Sequence, residues 1–260
     1  MIADLARWIE MGAPDPRLAS APISKPQHTI DVEAGRNWWA FQPLRRPAVP
    51  AVKLTDWIRT PVDAFILARQ EAAGVVPSDP ASREVLLRRA TFALTGLAPT
   101  TAEREAFLKD PSPDAYAKLI DRLLESDRYG ERWGRHWLDV VRYAESGGYE
   151  FDGFRPGAYH YRDWVIRALN DDLPYDEFIR MQLAGDKLMP GEYTGASAAG
   201  FLVAGPYPGQ ITAKTVEKIR YDQIDDMVST IGSGFLGLTM ACVRCHDHKY
   251  DPLPQRDYYG

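Results

Sequence analysis

Apolar residues along most of this chain recur at intervals of three and four, and each run is flanked by residues that start or stop a helix. Ile2, Leu5, Trp8 and Ile9 form a first stripe over residues 2–11, ending at Gly12 and closed off by Pro14 and Pro16. Thr60 before Pro61 pairs an N-cap with a proline at the first helical position, and Val62, Phe65, Ile66 and Arg69 lead on to a stop at Gly74. Ser82 opens a helix through Leu86, Leu87 and Ala90 that ends near Gly96. Thr100 with Glu103 is a capping box for a short helix. Ser112 with Pro113 begins the next, which carries Tyr116, Leu119, Ile120, Leu123 and Leu124.

Residues 131–144 predict a helix whose apolar stripe is Trp133, Trp137, Val140, Val141 and Ala144. Arg135, Asp139 and Arg142 fall opposite it, with His136 and Tyr143 at its edge. Helices also read at 161–169, 175–184 and 215–230, and only AGFLVAGPY (199–207) suggests a strand. The fold class is therefore mainly α, an irregular multi-helix domain with a C-terminal C-x-x-C-H loop. From Pro14 to Pro61 prolines remove amide donors and disfavour helix over most of the segment, which reads as a linker. Within it NWWAFQPL (37–44) offers aromatic surface to dock on the next domain.

Charge narrows the function classes. A net charge of −5 over 260 residues gives no broad attraction to polyanions, so nucleic acid is not an expected partner. No basic start leads into an apolar block, and no uncharged run reaches the roughly 20 apolar residues of a spanning helix. P-loop, dinucleotide and nucleophile-elbow signatures are absent.

Both cysteines of the chain lie in Cys242-Val243-Arg244-Cys245-His246. Two thiols about one turn apart can add to both vinyl groups of one porphyrin, and the adjacent histidine then lies under the iron, so haem c is the first cofactor to expect. Zinc is the alternative, because Cys242, Cys245, His246 and His248 are ligand types suited to a tetrahedral site; adjacent Cys245 and His246 make a strained chelate. Candidates for a distal iron ligand are Met181, Met189, Met227, Met240, His160 and, preferred among them, His136 on its tryptophan-rich helix. His248 sits too close to His246 to reach the other face of the same ring.

Gly232, Gly234 and Gly237 either let backbone approach a flat cofactor or mark tight packing and a loosened helix end. Asp247, Lys249 and Asp251 surround the motif with charge, or form a solvated loop. Asp139, Arg142, Glu145, Glu150 and Asp152 have the chemistry for acid–base work, with ion pairing along a solvated helix face as the plainer account.

Three long motifs carry a resemblance: GERWGRHWLDVVRYAES (130–146), YRDWVIRALNDDLPYDEFIRMQLAGD (161–186) and CVRCHDHKYDPLPQRDYY (242–259). Together they resemble the cytochrome-like domain of the planctomycete secreted cytochrome family, a domain of unknown function. LARWIEMGAPDP is similar to the last helix of the cytochrome c domain that often precedes it there. The resemblance implies a tail of that domain over 1–16, a Pro-rich linker over 17–54, and the helical cytochrome-like domain over 55–260, cut short at its C-terminal end, so that the chain reads as a fragment. It further implies a secreted or periplasmic protein of several modules, some binding polysaccharide, with haem c on Cys242, Cys245 and His246. The expected function is electron transfer with a redox protein or a neighbouring cytochrome c domain. A zinc or iron enzyme, or a helical scaffold associated with extracellular polysaccharide, is the alternative.

Overall fold

The computed structural model describes residues 2–13 and 31–260, and among them finds twelve α-helices, several short 3-10 turns and no strand. The mainly α expectation holds. The first helix, α1 (Ile2–Glu10), ends where Gly12 takes a left-handed φ of 84°. Residues 17–30 of the expected linker lie outside the described residues, and its described part, from residue 31 on, is not free of helix. Asp31 caps α2 (Val32–Arg36) by accepting the Ala34 amide at 2.9 Å, which offsets the local scarcity of donors. Trp38, Trp39 and Phe41 follow it and remain exposed rather than docked, Trp39 at 77%.

Local capping explains where the next helices begin. Thr60 and Asp63 form a reciprocal box at the start of α3 (Pro61–Ala72), and Gly74 turns left-handed just past its end. The helix buries Ala64 and Leu67, leaving Val62 and Ile66 exposed, so its inward face is rotated from the one the apolar residues suggested. Ser82 accepts from the Val85 amide to open α4 (Arg83–Thr95), and Gly96 closes it at φ 74°. Thr100 and Glu103 make the expected box for α5 (Thr101–Lys109). Asp114, two residues later than expected, is the N-cap of α6 (Ala115–Leu124).

Leu87, Ala90, Phe107, Ala115, Leu119 and Leu123 from α4, α5 and α6 interlock as one small core. Glu103 also joins α5 to α6 through Arg122 at 2.5 Å. The arginine, then the Thr100 amide, hold the Glu103 carboxyl down at about 2 from 4.5. A carboxyl lowered on folding stabilises the folded state above pH 4.5, and that contribution disappears as the pH falls towards 2. Glu103→Gln is therefore expected to flatten the acid limb of urea-unfolding stability across that window and to change the slope little at neutral pH.

The larger core is built by α7 (Asp127–Val140), α8 (Tyr159–Asn170), α9 (Tyr175–Leu188) and α10 (Tyr193–Ala198). Here the expected helix over 131–144 needs correction: Ser126 caps it, it starts earlier and it ends at Val140. Its buried face runs through Gly130 and Gly134, while Trp133 and Val140 are exposed. A Cβ on Gly130 would collide with the Ile166 carbonyl and the Asn170 amide, so only glycine lets the α7 and α8 backbones approach this closely. Behind this contact Trp164 stacks on Phe178 while Trp137 meets Phe178 edge-on, and Val141, Val165 and Phe201 are wholly buried.

The suspected strand at 199–207 is a second correction. Residues Ala199–Val203 form a 3-10 turn that continues α10, with Phe201 driven into the core. The remaining long helix, α11 (Val216–Ile231), runs into a π turn over Gly232–Leu236 and leads to the C-terminal turn, before α12 (Gln255–Tyr259). Among the described residues no helix is long and apolar enough to cross a membrane.

Candidate functional site

The motif residues sit on a 3-10 turn, Met240–Arg244, with Cys245 as its C-cap. In that helix positions three apart eclipse, so Cys242 and Cys245 share one side of the turn; both are exposed and free. The two residues between them face the other way. Val243 is 0% exposed, and Arg244 pairs with Asp222 at 2.9 Å and Asp225 at 3.3 Å, one turn apart on α11. The Asp222 carboxylate keeps the guanidinium above its usual range, and Lys218 followed by Arg244 holds Asp222 below its own.

Downstream residues brace the same turn. Gln255 donates through its amide nitrogen to the Arg244 carbonyl at 2.9 Å, and the Tyr259 hydroxyl donates to that carbonyl at 2.8 Å. Asp247, itself exposed, accepts the Gln255 backbone amide at 2.7 Å at the start of α12. Tyr258 donates to Asp225, and burial, then that carboxylate, push its phenol upward.

Hydrogen bonding separates the two histidines of the motif. His246 is exposed, and its Nδ1 lies 2.7 Å from the Asp247 carbonyl oxygen. A carbonyl only accepts, so Nδ1 carries the proton and Nε2 presents a lone pair. His248 is buried, and its Nδ1 accepts the amides of Tyr250 at 3.2 Å and Asp251 at 2.7 Å. The proton is then on Nε2, and this ring closes a turn. Among the described residues no three His, Cys, Asp or Glu side chains gather closely enough to hold a metal ion.

The other candidates are scattered. His136 packs edge-on against Trp133 at 5.5 Å and lines an aromatic groove of about 290 Å³ that none of Cys242, Cys245 or His246 borders. His160 is joined to the Tyr193 hydroxyl at 2.6 Å. Met181 is buried in the larger core and Met189 packs against it, while Met227 lines a separate cavity beside Arg155. Met240 sits on Gly232, whose missing side chain admits it, and Gly237 ends the π turn at φ 65°. Those two glycines thus serve packing and a helix end.

The carboxylates expected to pair along one helix pair elsewhere. Because α7 stops at Val140, Arg142 takes a left-handed φ of 55° and reaches Asp226 on α11 at 2.5 Å. Glu145 pairs with Arg162 of α8 at 2.9 Å and accepts from the Tyr143 hydroxyl. Asp152 accepts the Gly148 amide at 2.9 Å; its carboxyl is held low by the Ser146 hydroxyl, then by that amide. Sequence reasoning missed Asp222 and Asp225 as anchors of the motif, although their three-residue spacing on a helix was visible.

The chain matches, over residues 61–260, the model of the family PSCyt2, described as a protein of unknown function (DUF1549). No curated protein and no solved structure matches it.

Proposed function

Because the chain belongs to the PSCyt2 family, whose function is unknown, its own residues must supply the reading, and we propose that its C-terminal turn carries a covalent haem c used for electron transfer in a secreted or periplasmic protein. One observation carries this: the turn is fastened through Val243 and Arg244, which leaves both thiols and the His246 Nε2 facing outward from the same short segment.

The donor set fits the group. Cys242 and Cys245 offer free thiols three residues apart, as addition to two vinyl groups of one porphyrin requires. His246 would offer its Nε2 to the iron, and its Nδ1–H bond to the Asp247 carbonyl fixes the ring's orientation. When bound, haem supplies one-electron exchange; the chain sets its environment through this axial ligand and the nearby charges. The ion pairs of Arg244 with Asp222 and Asp225 fasten the turn to α11. His248, committed to two amides, braces the loop instead of contributing a fourth zinc ligand.

The compartment follows from the chemistry, since haem c is attached outside the cytoplasm. Full-length chain exported in a host with haem-maturation machinery tests the reading. One haem per chain, a pyridine haemochrome with two saturated vinyls, and equimolar iron are expected. Colourless protein whose two thiols titrate freely, or equimolar zinc without iron, overturns it.

A further inference from the structure

We propose that the cavity enclosed by α8, α10 and the segment 143–158 is a binding site for a small ring-bearing carboxylate, independent of the C-terminal turn. It holds about 640 Å³, the size range of small-molecule sites, and its walls include Tyr143, Phe154, Arg155, His160, Tyr193 and Ser197.

Three polar groups in it are unspent. Ser197 is only 5% exposed and borders this cavity, where its hydroxyl is available to a ligand. Arg155 directs Nη1 at the carbonyls of Ala144, Ala204 and Gly205 and Nη2 at that of Val203, which fixes the guanidinium rigidly. Its Nε–H makes no bond, and no carboxylate pairs with it, among the described residues. His160, joined through Nδ1 to the Tyr193 hydroxyl, lines the same cavity and keeps its Nε2 without a partner among the described residues.

Charge and shape select the ligand. A fixed guanidinium that no carboxylate neutralises among the described residues favours an anion, and a carboxylate oxygen can accept from its spare Nε–H. Tyr143 does not compete as an anion, since burial and then Glu145 push its phenol up to about 12. Phe154, Tyr143 and Tyr193 in the lining offer apolar surface to a ring, flat or puckered, whose hydroxyls would meet Ser197 and His160. The shared chemistry is a monocarboxylate on a six-membered ring.

Calorimetry on the full chain with 4-hydroxybenzoate and with galacturonate tests the site and tells the two ring types apart. Saturable one-to-one binding of either is expected, with its neutral partner, 4-hydroxybenzyl alcohol or galactose, weaker by about tenfold or more. Ser197→Ala should weaken binding about fivefold. Ala196→Trp, a change at an exposed position on the cavity wall, should abolish it by filling the mouth. Absence of binding by both acids up to about 10 mM, equal affinity for the neutral partners, or binding unchanged in Ala196→Trp overturns the proposal.

Discussion

If the C-terminal turn carries haem c as proposed, replacing both Cys242 and Cys245 with serine is expected to remove covalent haem completely from protein exported in a host with haem-maturation machinery, as read by haem staining after denaturing electrophoresis. Both side chains are exposed, so the fold should lose less than about 0.5 kcal/mol and the far-UV melting curve should be nearly unchanged. Loss of colour with retained folding separates attachment from stability. The histidines sharpen the result. His246→Gln should keep the tether but remove the imidazole that would hold the iron, changing the Soret band and the potential. His248→Gln should leave spectrum and potential as they are, because a glutamine oxygen can accept the amides of Tyr250 and Asp251 in place of Nδ1. The reverse pattern, with the spectrum following position 248, would show that the proton assignment of the two rings is wrong.

The second large effect lies in the core. Gln182 is 0% exposed and its Oε1 accepts from both the Trp137 indole at 2.8 Å and the Tyr161 hydroxyl at 2.6 Å, while its Nε2 donates to the Phe178 carbonyl at 3.0 Å. Burial pushes the Tyr161 phenol upward, which keeps it a neutral donor. Gln182→Ala should cost about 4 kcal/mol, combining a cavity with an orphaned Tyr161 O–H. Gln182→Met restores the volume but not the acceptor, and should cost about 3 kcal/mol. Tyr161→Phe leaves Trp137 and Gln182 bonded to each other, so about 1 kcal/mol is expected. Against a total stability of about 5–15 kcal/mol these are large fractions, readable in urea melts. Should Gln182→Met prove neutral, the glutamine is packing material and the polar network contributes nothing.

The two kinds of residue differ in how far the chain alone reveals them. Cys242, Cys245 and His246 are recognisable by spacing, and the structure adds that Val243 and Arg244 hold them outward. Gln182 carries no sequence signal. It lies forty-five residues from Trp137 and twenty-one from Tyr161, and only the packing of α7, α8 and α9 brings the three together.

By itself the sequence determined the all-helical class, the starts of α4 and α5, and the composition of the motif turn. Caps such as Ser82 and the Thr100–Glu103 box act within three residues, so they read the same in any tertiary context. Tertiary structure alone decided that α7 buries Gly130 and Gly134 instead of Trp133, that residues 199–203 coil into a 3-10 turn, and that Arg142 pairs with Asp226. Apolar periodicity records how much surface a helix can hide, whereas the face it hides depends on the shape of its neighbour. Here α8 needed the close approach that two glycines allow, and the tryptophan was left beside the groove. The same holds for the paired histidines: the residues were legible, but the direction of each proton rests on a carbonyl and two amides that the folded loop brings to them.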